Sequence, residues 1–207
     1  MTTDAGGGEE VPVALFFRDP SRMSGLERAA LADATGRTLD LGACAGALSV
    51  PLLESGVRVT AAEVLPTARR ILAERGVTDV RAGGLEALGP DERFETVLIL
   101  MNGLGLAGSL AGLTPFLSPV AGRLTPAGRI LADSTDPTDW EDPGDGRAPG
   151  EVHMQLAFEG RSAEPFPFLF VSPTDLRAHA AAAGLRTEIL VREEDGRYLA
   201  RLTPLPR

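Results

Sequence analysis

The sequence predicts an α/β fold, a single doubly wound and mostly parallel sheet, and three observations carry that expectation. Short strand-like runs alternate with helical stretches between about residues 38 and 133, a pattern that packs helices on both faces of a parallel sheet. Glu95–Met101 is the most apolar of these runs and stops at Asn102-Gly103, as expected of a strand covered on both sides. The stretch Arg37-Thr-Leu-Asp-Leu-Gly-Ala-Cys-Ala-Gly46 reads as a strand that breaks into a glycine-bearing turn and opens a helix. In open α/β sheets ligands bind at such turns.

Taken in order, residues 1–10 are polar, acidic and glycine-rich, and are expected to be a disordered tail. Residues 11–207 are expected to form one domain, of a length that supports a sizeable core. Met23 to Thr35 has helical apolar spacing through Leu26, Ala30 and Leu31. A strand over 38–42, a helix over about 46–54 and a strand over 57–63 follow. The helix Pro66–Arg75 begins with proline and ends at Gly76, the favoured asymmetry. Strands near 79–81 and 95–101, a helix over about 107–124 and a strand over 129–133 continue the alternation. The stretch 134–150 is rich in Asp, Pro and Gly and reads as a loop. It opens an insert, 134–172, in which Val152, Met154, Leu156 and Phe158, and then Phe166, Phe168 and Phe170, alternate with other residues as two strands of a small hairpin lid. Ser172-Pro-Thr-Asp175 starts a helix that stops at Gly184. Strands near 187–192 and 198–202, joined through Asp195-Gly196, close the chain.

Composition narrows the partners. The net charge of −9 and a pI near 4.8 argue against nucleic acid and against an anionic membrane, because phosphate binding needs clustered positive charge. All 20 basic residues are arginine, which excludes a Walker-type phosphate loop and a pyridoxal Schiff base. One cysteine makes no internal disulfide, so a cytoplasmic location is expected. The N-terminus lacks a signal-peptide core. The uncharged stretch 96–122 is broken by Asn102, glycines, Pro115 and Pro119, and parses as strand, loop and helix rather than a membrane span. The expected partner is a small molecule, with the protein a monomer or homodimer and no metal bound.

The site is read from spacing. Gly42 and Gly46 remove the Cβ atoms that would hold a ligand off the turn. Glu63 emerges from the run Val57–Ala62, 21 positions after Gly42, about where a carboxylate accepts hydrogen bonds from ribose hydroxyls. Asp40 stands two residues before the first glycine, where it would repel a dinucleotide's pyrophosphate but suits a cation. The dinucleotide fingerprint also asks for glycine where Cys44 stands. A nucleoside bearing an ammonium and a sulfonium, without phosphate, fits better.

On Asp40-Leu41-Gly42-Ala43-Cys44-Ala45-Gly46, the chain resembles the class I S-adenosylmethionine-dependent methyltransferases, whose first motif runs Asp/Glu-x-Gly-x-Gly-x-Gly. The resemblance extends roughly from Phe16 to the last strand, and it implies a terminal antiparallel hairpin added to the parallel sheet. It also implies S-adenosylmethionine as cofactor and S-adenosylhomocysteine as product. Asp40 would then hold the amino group, the amides around Ala43, Cys44 and Gly46 would face the methionine carboxylate and ribose, and Val64 or Leu65 would pack on adenine. The family usually places an acidic residue after the third strand to meet the adenine amino group. Gly84 occupies that position here, next to Leu85, leaving the backbone or Glu86 to serve. Met101 and Asn102 close the fourth strand, where the family presents residues to methyl and acceptor.

Catalytic residues carry no motif. Asn102, His153 and Asp133, with Asp136, are the side chains expected near the strand ends, and Phe16, Phe17 and Phe168, with Trp140, are candidates for an acceptor pocket. Surface positions for both histidines and a hairpin core for the phenylalanines are the plainer readings. Three functions stay open on this reading: methyl transfer to an oxygen, nitrogen or carbon nucleophile of a small molecule, a cyclase or rearrangement catalyst that keeps the fold but not the methylation, and a non-catalytic nucleoside-binding protein.

Overall fold

A computed structural model describes residues 1–6, 8–141 and 144–206. In chain order its elements are β1 (Thr2–Thr3), 3-10 turns at Val13–Phe17 and Pro20–Arg22, α1 (Gly25–Asp33), β2 (Arg37–Leu41), α2 (Ser49–Glu54), β3 (Arg58–Glu63), α3 (Pro66–Glu74), β4 (Val80–Ala82) and β5 (Phe94–Ile99). A 3-10 turn at Gly103–Ala107 follows. Then come α4 (Leu110–Ala121), β6 (Leu124–Thr135), β7 (Glu151–Gln155), β8 (Ala157–Phe158), β9 (Arg161–Ser162), β10 (Phe166–Leu169), α5 (Pro173–Ala182), β11 (Leu185–Arg192) and β12 (Arg197–Pro204).

The main sheet has seven strands in the order β11-β12-β6-β5-β2-β3-β4. β2 to β6 are mutually parallel, and β12 and β11 close the edge as an antiparallel pair. The strand side chains alternate between two cores, as the pleat requires. Val97, Ile99, Ile130 and Ala132 face α4 and α5 through Leu113, Leu117 and Leu176. Leu98, Leu131 and Leu199 face the opposite way, onto Leu26, Ala30 and Leu52 of α1 and α2. The doubly wound sheet, the terminal hairpin and the inserted hairpin agree with the expectation, β7 pairing antiparallel with β10 between β6 and α5.

Two boundaries differ for local reasons. The helix expected from residue 46 begins at Ser49, because Gly46 has φ +81° and cannot be helical. The helix expected over 107–124 is divided: Gly108 has φ +73°, and α4 restarts after it with Ser109 accepting from the Gly112 N–H.

The expected tail is corrected. Thr2 and Thr3 pair antiparallel with Gln155 and Met154, adding a third strand to the insert. Asp4 holds the pairing, its carboxylate accepting from the His153 N–H at 2.8 Å and from Arg147 at 2.8 Å. A polar, acidic segment can be ordered once its carboxylate finds donors of this kind.

Candidate functional site

The order of the strands reverses at β2, whose neighbours are β3 on one side and β5 on the other. That reversal opens the crevice in which such sheets take ligands. Register brings the carboxyl ends level, with Asp40 opposite Ala61 and Leu98, and Leu98 opposite Leu131. Asp40, Glu63 and Asp133 therefore project from the ends of β2, β3 and β6 on the α1–α3 side of the sheet.

Asp40 is buried and accepts a hydrogen bond of 2.6 Å from the Ser49 hydroxyl at the start of α2. Burial pushes its carboxyl up to about 6, against the Ser49 hydrogen bond and with help from the Glu63 charge. A buried carboxylate without a cation is costly, so the position is chemically poised to receive one.

The turn after β2 is tied down by its own amides. Gly42 and Ala43 donate to the Ala62 carbonyl, Gly46 donates to Ala43, and Cys44 donates to Glu63 Oε2 at 2.8 Å. The N–H groups of Ala43, Cys44 and Gly46, expected to face the methionine carboxylate and ribose, thus have acceptors within the fold. Glu63 holds the turn with one oxygen and the Leu65 N–H with the other, at 2.8 Å. Each oxygen has a further lone pair available. A Cβ at Gly42, φ +80°, would meet no atom within 4 Å, whereas one at Gly46 would come within 2.9 Å of Leu72. The first glycine thus leaves a cradle open and the second lets α3 pack close. Cys44 takes φ +49°, a left-handed conformation in a non-glycine residue, and burial pushes its thiol up, away from thiolate chemistry.

Beyond Glu63, Val64 and Leu65 present apolar surface to solvent, 65% and 59% exposed. β4 brings Gly83 and Gly84 alongside, the Gly83 N–H donating to the Glu63 carbonyl. The carboxylate beside Gly84 is that of Glu86, whose Oε1 accepts from the Gly84 N–H at 2.7 Å and lies over the space a Cβ on Gly83 or Gly84 would take. Leu85 begins a short 3-10 turn and packs against the α4 core.

On the β5 side, Met101 and Asn102 both adopt left-handed φ, 64° and 55°. Two such residues in succession store strain that the surroundings must hold. Asp133 does so from below, accepting from Gly103 at 3.3 Å and drawing the N–H groups of Asn102 and Met101. Burial pushes Asp133 up to about 6 against those bonds. Thr135 holds the side chain, its hydroxyl donating to Asn102 Oδ1 at 3.0 Å.

The lead-in segment covers this crevice. Phe16 closes the cleft between Asp40, Cys44 and Met101 to a cavity of about 30 Å³, room for a water molecule. Phe17 turns outward, under the Arg75 guanidinium at 5.7 Å. Behind Phe16, the buried Arg18 pairs with both carboxylate oxygens of Glu27 and donates to the Leu15 carbonyl. Glu27 is itself held by the capping box with Ser24. Burial pulls the Arg18 guanidinium below its ordinary value, against the opposing charge of Asp133.

The structure thus gathers Asp40, Gly42, Ala43, Cys44, Glu63, Met101, Asn102, Asp133 and Phe16 at one crevice, with Val64, Gly84 and Leu85 on its β4 flank. It does not bring His153 there. That residue shares the face of β7 opposite Val152 and Met154, with its Nδ1 3.2 Å from Asp4. Phe168 lies one layer out, its ring over Gly105. Ser49, Thr135 and Arg18 were not expected. Ser49 follows Asp40 by nine residues across a turn, and Thr135 and Arg18 meet their partners through tertiary packing, so no sequence pattern announces them.

No protein-family model matches the chain, and no curated protein does. Solved structures do. A SAM-dependent methyltransferase from Bacteroides fragilis, in complex with S-adenosyl-L-homocysteine, is 34% identical with a TM-score of 0.87 over 99% of this chain and 86% of that one. The sugar N-methyltransferase KedS8 from Streptoalloteichus sp. ATCC 53650 is 19% identical with a TM-score of 0.67, over 97% and 96% of the two chains. The CcbJ methyltransferase from Streptomyces caelestis is 17% identical with a TM-score of 0.66, over 88% and 90%. The last two are likenesses of fold.

Proposed function

The chain belongs to the S-adenosylmethionine-dependent methyltransferases, and we propose that it methylates a small-molecule acceptor, with Asp40 and Glu63 holding the cofactor. The observation that carries the reading is the pair of carboxylates on adjoining strand ends beside the open cradle at Gly42. The donor set fits the cofactor. Glu63, fixed by two amides, keeps lone pairs for two ribose hydroxyls. Asp40, buried and lacking a cation, suits the ammonium. Val64 and Leu65 offer an apolar bed for adenine, and Glu86 an acceptor for its amino group.

The bound cofactor supplies an activated methyl on a sulfonium. The protein's own work is to orient and to exclude water, and orientation of this kind contributes up to roughly 7–11 kcal/mol. Asp40 and Glu63 set where the methyl points. Asn102, clamped by Thr135 and by Asp133 beneath its backbone, offers its amide NH2 to the acceptor. Phe16 lines the cleft on the methionine side, with Arg18 and Glu27 as the anchor of its segment. The short lead-in and small insert leave a lid of modest size, which favours a compact acceptor over a macromolecule.

The test is to incubate the protein with S-adenosylmethionine and a chemically mixed set of small acceptors, following both partners by mass spectrometry. Formation of S-adenosylhomocysteine together with a product heavier by one methylene is the expected result. A product formed with the cofactor unchanged would overturn methyl transfer in favour of a cyclase or rearrangement catalyst.

A further inference from the structure

The insert carries a feature that cofactor binding does not use. Trp140, Phe170, Phe168 and Phe166 stand in one row, with successive ring centroids 4.9, 5.3 and 6.4 Å apart and planes tilted by 59°, 64° and 78°. Pairing of β10 with β7 sets Phe166 opposite Met154 and Phe168 opposite Val152, on a single face. The row meets the strand ends at Phe168. A Cβ at Gly105 would collide with the Phe168 ring, and Gly105 donates to the Asn102 carbonyl. The absence of a side chain at 105 is what lets the ring reach the turn that Asn102 opens. From there the row runs outward to Trp140, which is 38% exposed.

These rings are not spare core. Phe94 and Tyr198, the aromatic residues that do serve the core, are fully buried, whereas Phe166, Phe168 and Phe170 are half-buried and Trp140 is exposed. The surroundings are acidic. Asp136 follows the end of β6, with Arg192 at 3.8 Å as its partner, Asp139 and Glu141 flank Trp140 in sequence, and the whole chain carries −9. Elsewhere arginine guanidinium groups cover aromatic faces, Arg37 over Phe94 at 4.6 Å and Arg75 over Phe17 at 5.7 Å. Among the described residues no cation covers the row.

We infer that this row is the wall of the acceptor site and that the acceptor is an amine. The inference rests on the methyl-transfer reading given above. The nitrogen lone pair forms the bond to the methyl carbon as the S–C bond breaks with its electron pair to sulfur. The positive charge thus passes to nitrogen, from which a proton later leaves to water. Aromatic faces and carboxylates attract the charge arriving there, and an interaction that strengthens as the charge arrives accelerates the step. A hydroxyl acceptor requires a base during transfer. Each candidate for that role has another partner: Asp133 faces the amides of residues 101–103, Asp136 pairs with Arg192 at 3.8 Å, and His153 faces Asp4 on the other side of β7.

Trp140 is the sole tryptophan, so its fluorescence reports on the row directly. The protein saturated with S-adenosylhomocysteine is titrated with choline and, separately, with 3,3-dimethylbutan-1-ol, its uncharged isostere. Choline is expected to change Trp140 emission at about tenfold lower concentration than the alcohol, the scale of a desolvated cation–π contact. Phe170→Leu should remove that preference while leaving S-adenosylhomocysteine affinity, measured by calorimetry, unchanged. Phe166→Leu makes the same comparison if the first variant does not bind S-adenosylhomocysteine. Equal responses to the two probes, or no response to choline, would overturn the inference. Labelled methyl from S-adenosylmethionine found only on oxygen, in a panel of matched amines and alcohols, would also overturn it while leaving methyl transfer intact. Loss of S-adenosylhomocysteine binding in the unaltered protein would instead strike the underlying reading.

Discussion

The two flanks of the strand-end crevice are built on different principles. The β2–β3–β4 flank presents carboxylates, Asp40, Glu63 and Glu86, each held by backbone amides or a hydroxyl at most 19 residues away. The β5–β6 flank and the insert present a strained turn and a row of rings, held by groups 30 residues or more apart in sequence: Asp133 beneath residues 101–103, Thr135 on Asn102, Gly105 under Phe168. The first flank fits a ligand of fixed chemistry, where charge and hydrogen-bond direction are specified in advance. The second fits a ligand chosen by shape and charge type. Preorganisation on the first is local, and on the second it is tertiary.

The comparison can be broken most sharply at the lead-in, which spans both flanks. Arg18→Ala leaves Glu27 buried without its partner, and removal of one partner from a buried pair costs about 3–5 kcal/mol. Urea unfolding should show a loss of that size, and a loss below about 1 kcal/mol would mean that Arg18 does not anchor the segment.

Asp40→Asn separates binding from stability on the first flank. Folding raises the proton affinity of Asp40, so its contribution to stability is fully present below the ordinary carboxylate range and is lost as pH rises through about 6. The same sign holds for Asp133. In Asp40→Asn the melting temperature should therefore fall less between pH 5 and pH 7 than in the unaltered protein. S-adenosylmethionine affinity at pH 7.5 should drop about tenfold, the worth of a charged hydrogen bond. In the unaltered protein that affinity should weaken as pH falls below 6, and in the variant it should stay flat. Parallel pH profiles for the two proteins would remove Asp40 from the ammonium site.

A smaller effect is expected at Cys44. Relief of its left-handed φ in Cys44→Gly should raise stability by about 1 kcal/mol, with S-adenosylhomocysteine affinity changed by less than about threefold. A large loss of affinity would give the thiol a role that its raised pKa argues against. Smallest of all, Glu86→Ala should weaken cofactor binding about two- to threefold, as suits an exposed carboxylate. An adenosine analogue lacking the adenine amino group should bind both proteins alike if Glu86 reads that group.

The first flank was the more legible of the two in sequence, and the reason is physical. Parallel strands end in register, so a strand pattern, a glycine and a carboxylate at the right separation locate Asp40, Gly42 and Glu63 without any tertiary information. Gly84 looked like a missing acid because the carboxylate that covers it comes from Glu86, two residues away. The second flank depends on contacts that no period encodes. Thr135 meets Asn102 across 33 residues and Asp4 meets His153 across 149, which is why the N-terminus reads as a tail and His153 as a catalytic candidate. Helix starts shifted where a glycine at 46 or 108 took a left-handed φ, a conformation composition alone does not reveal.

The central claim is that Glu63, fixed by the Cys44 and Leu65 amides, holds the cofactor's ribose. Calorimetric titration with S-adenosylhomocysteine, of the unaltered protein and of Glu63→Ala side by side, tests it most directly. The account predicts binding by the unaltered protein and affinity at least about tenfold weaker in the variant, since hydrogen bonds to a charged group are lost. Equal affinity in the two proteins would contradict it.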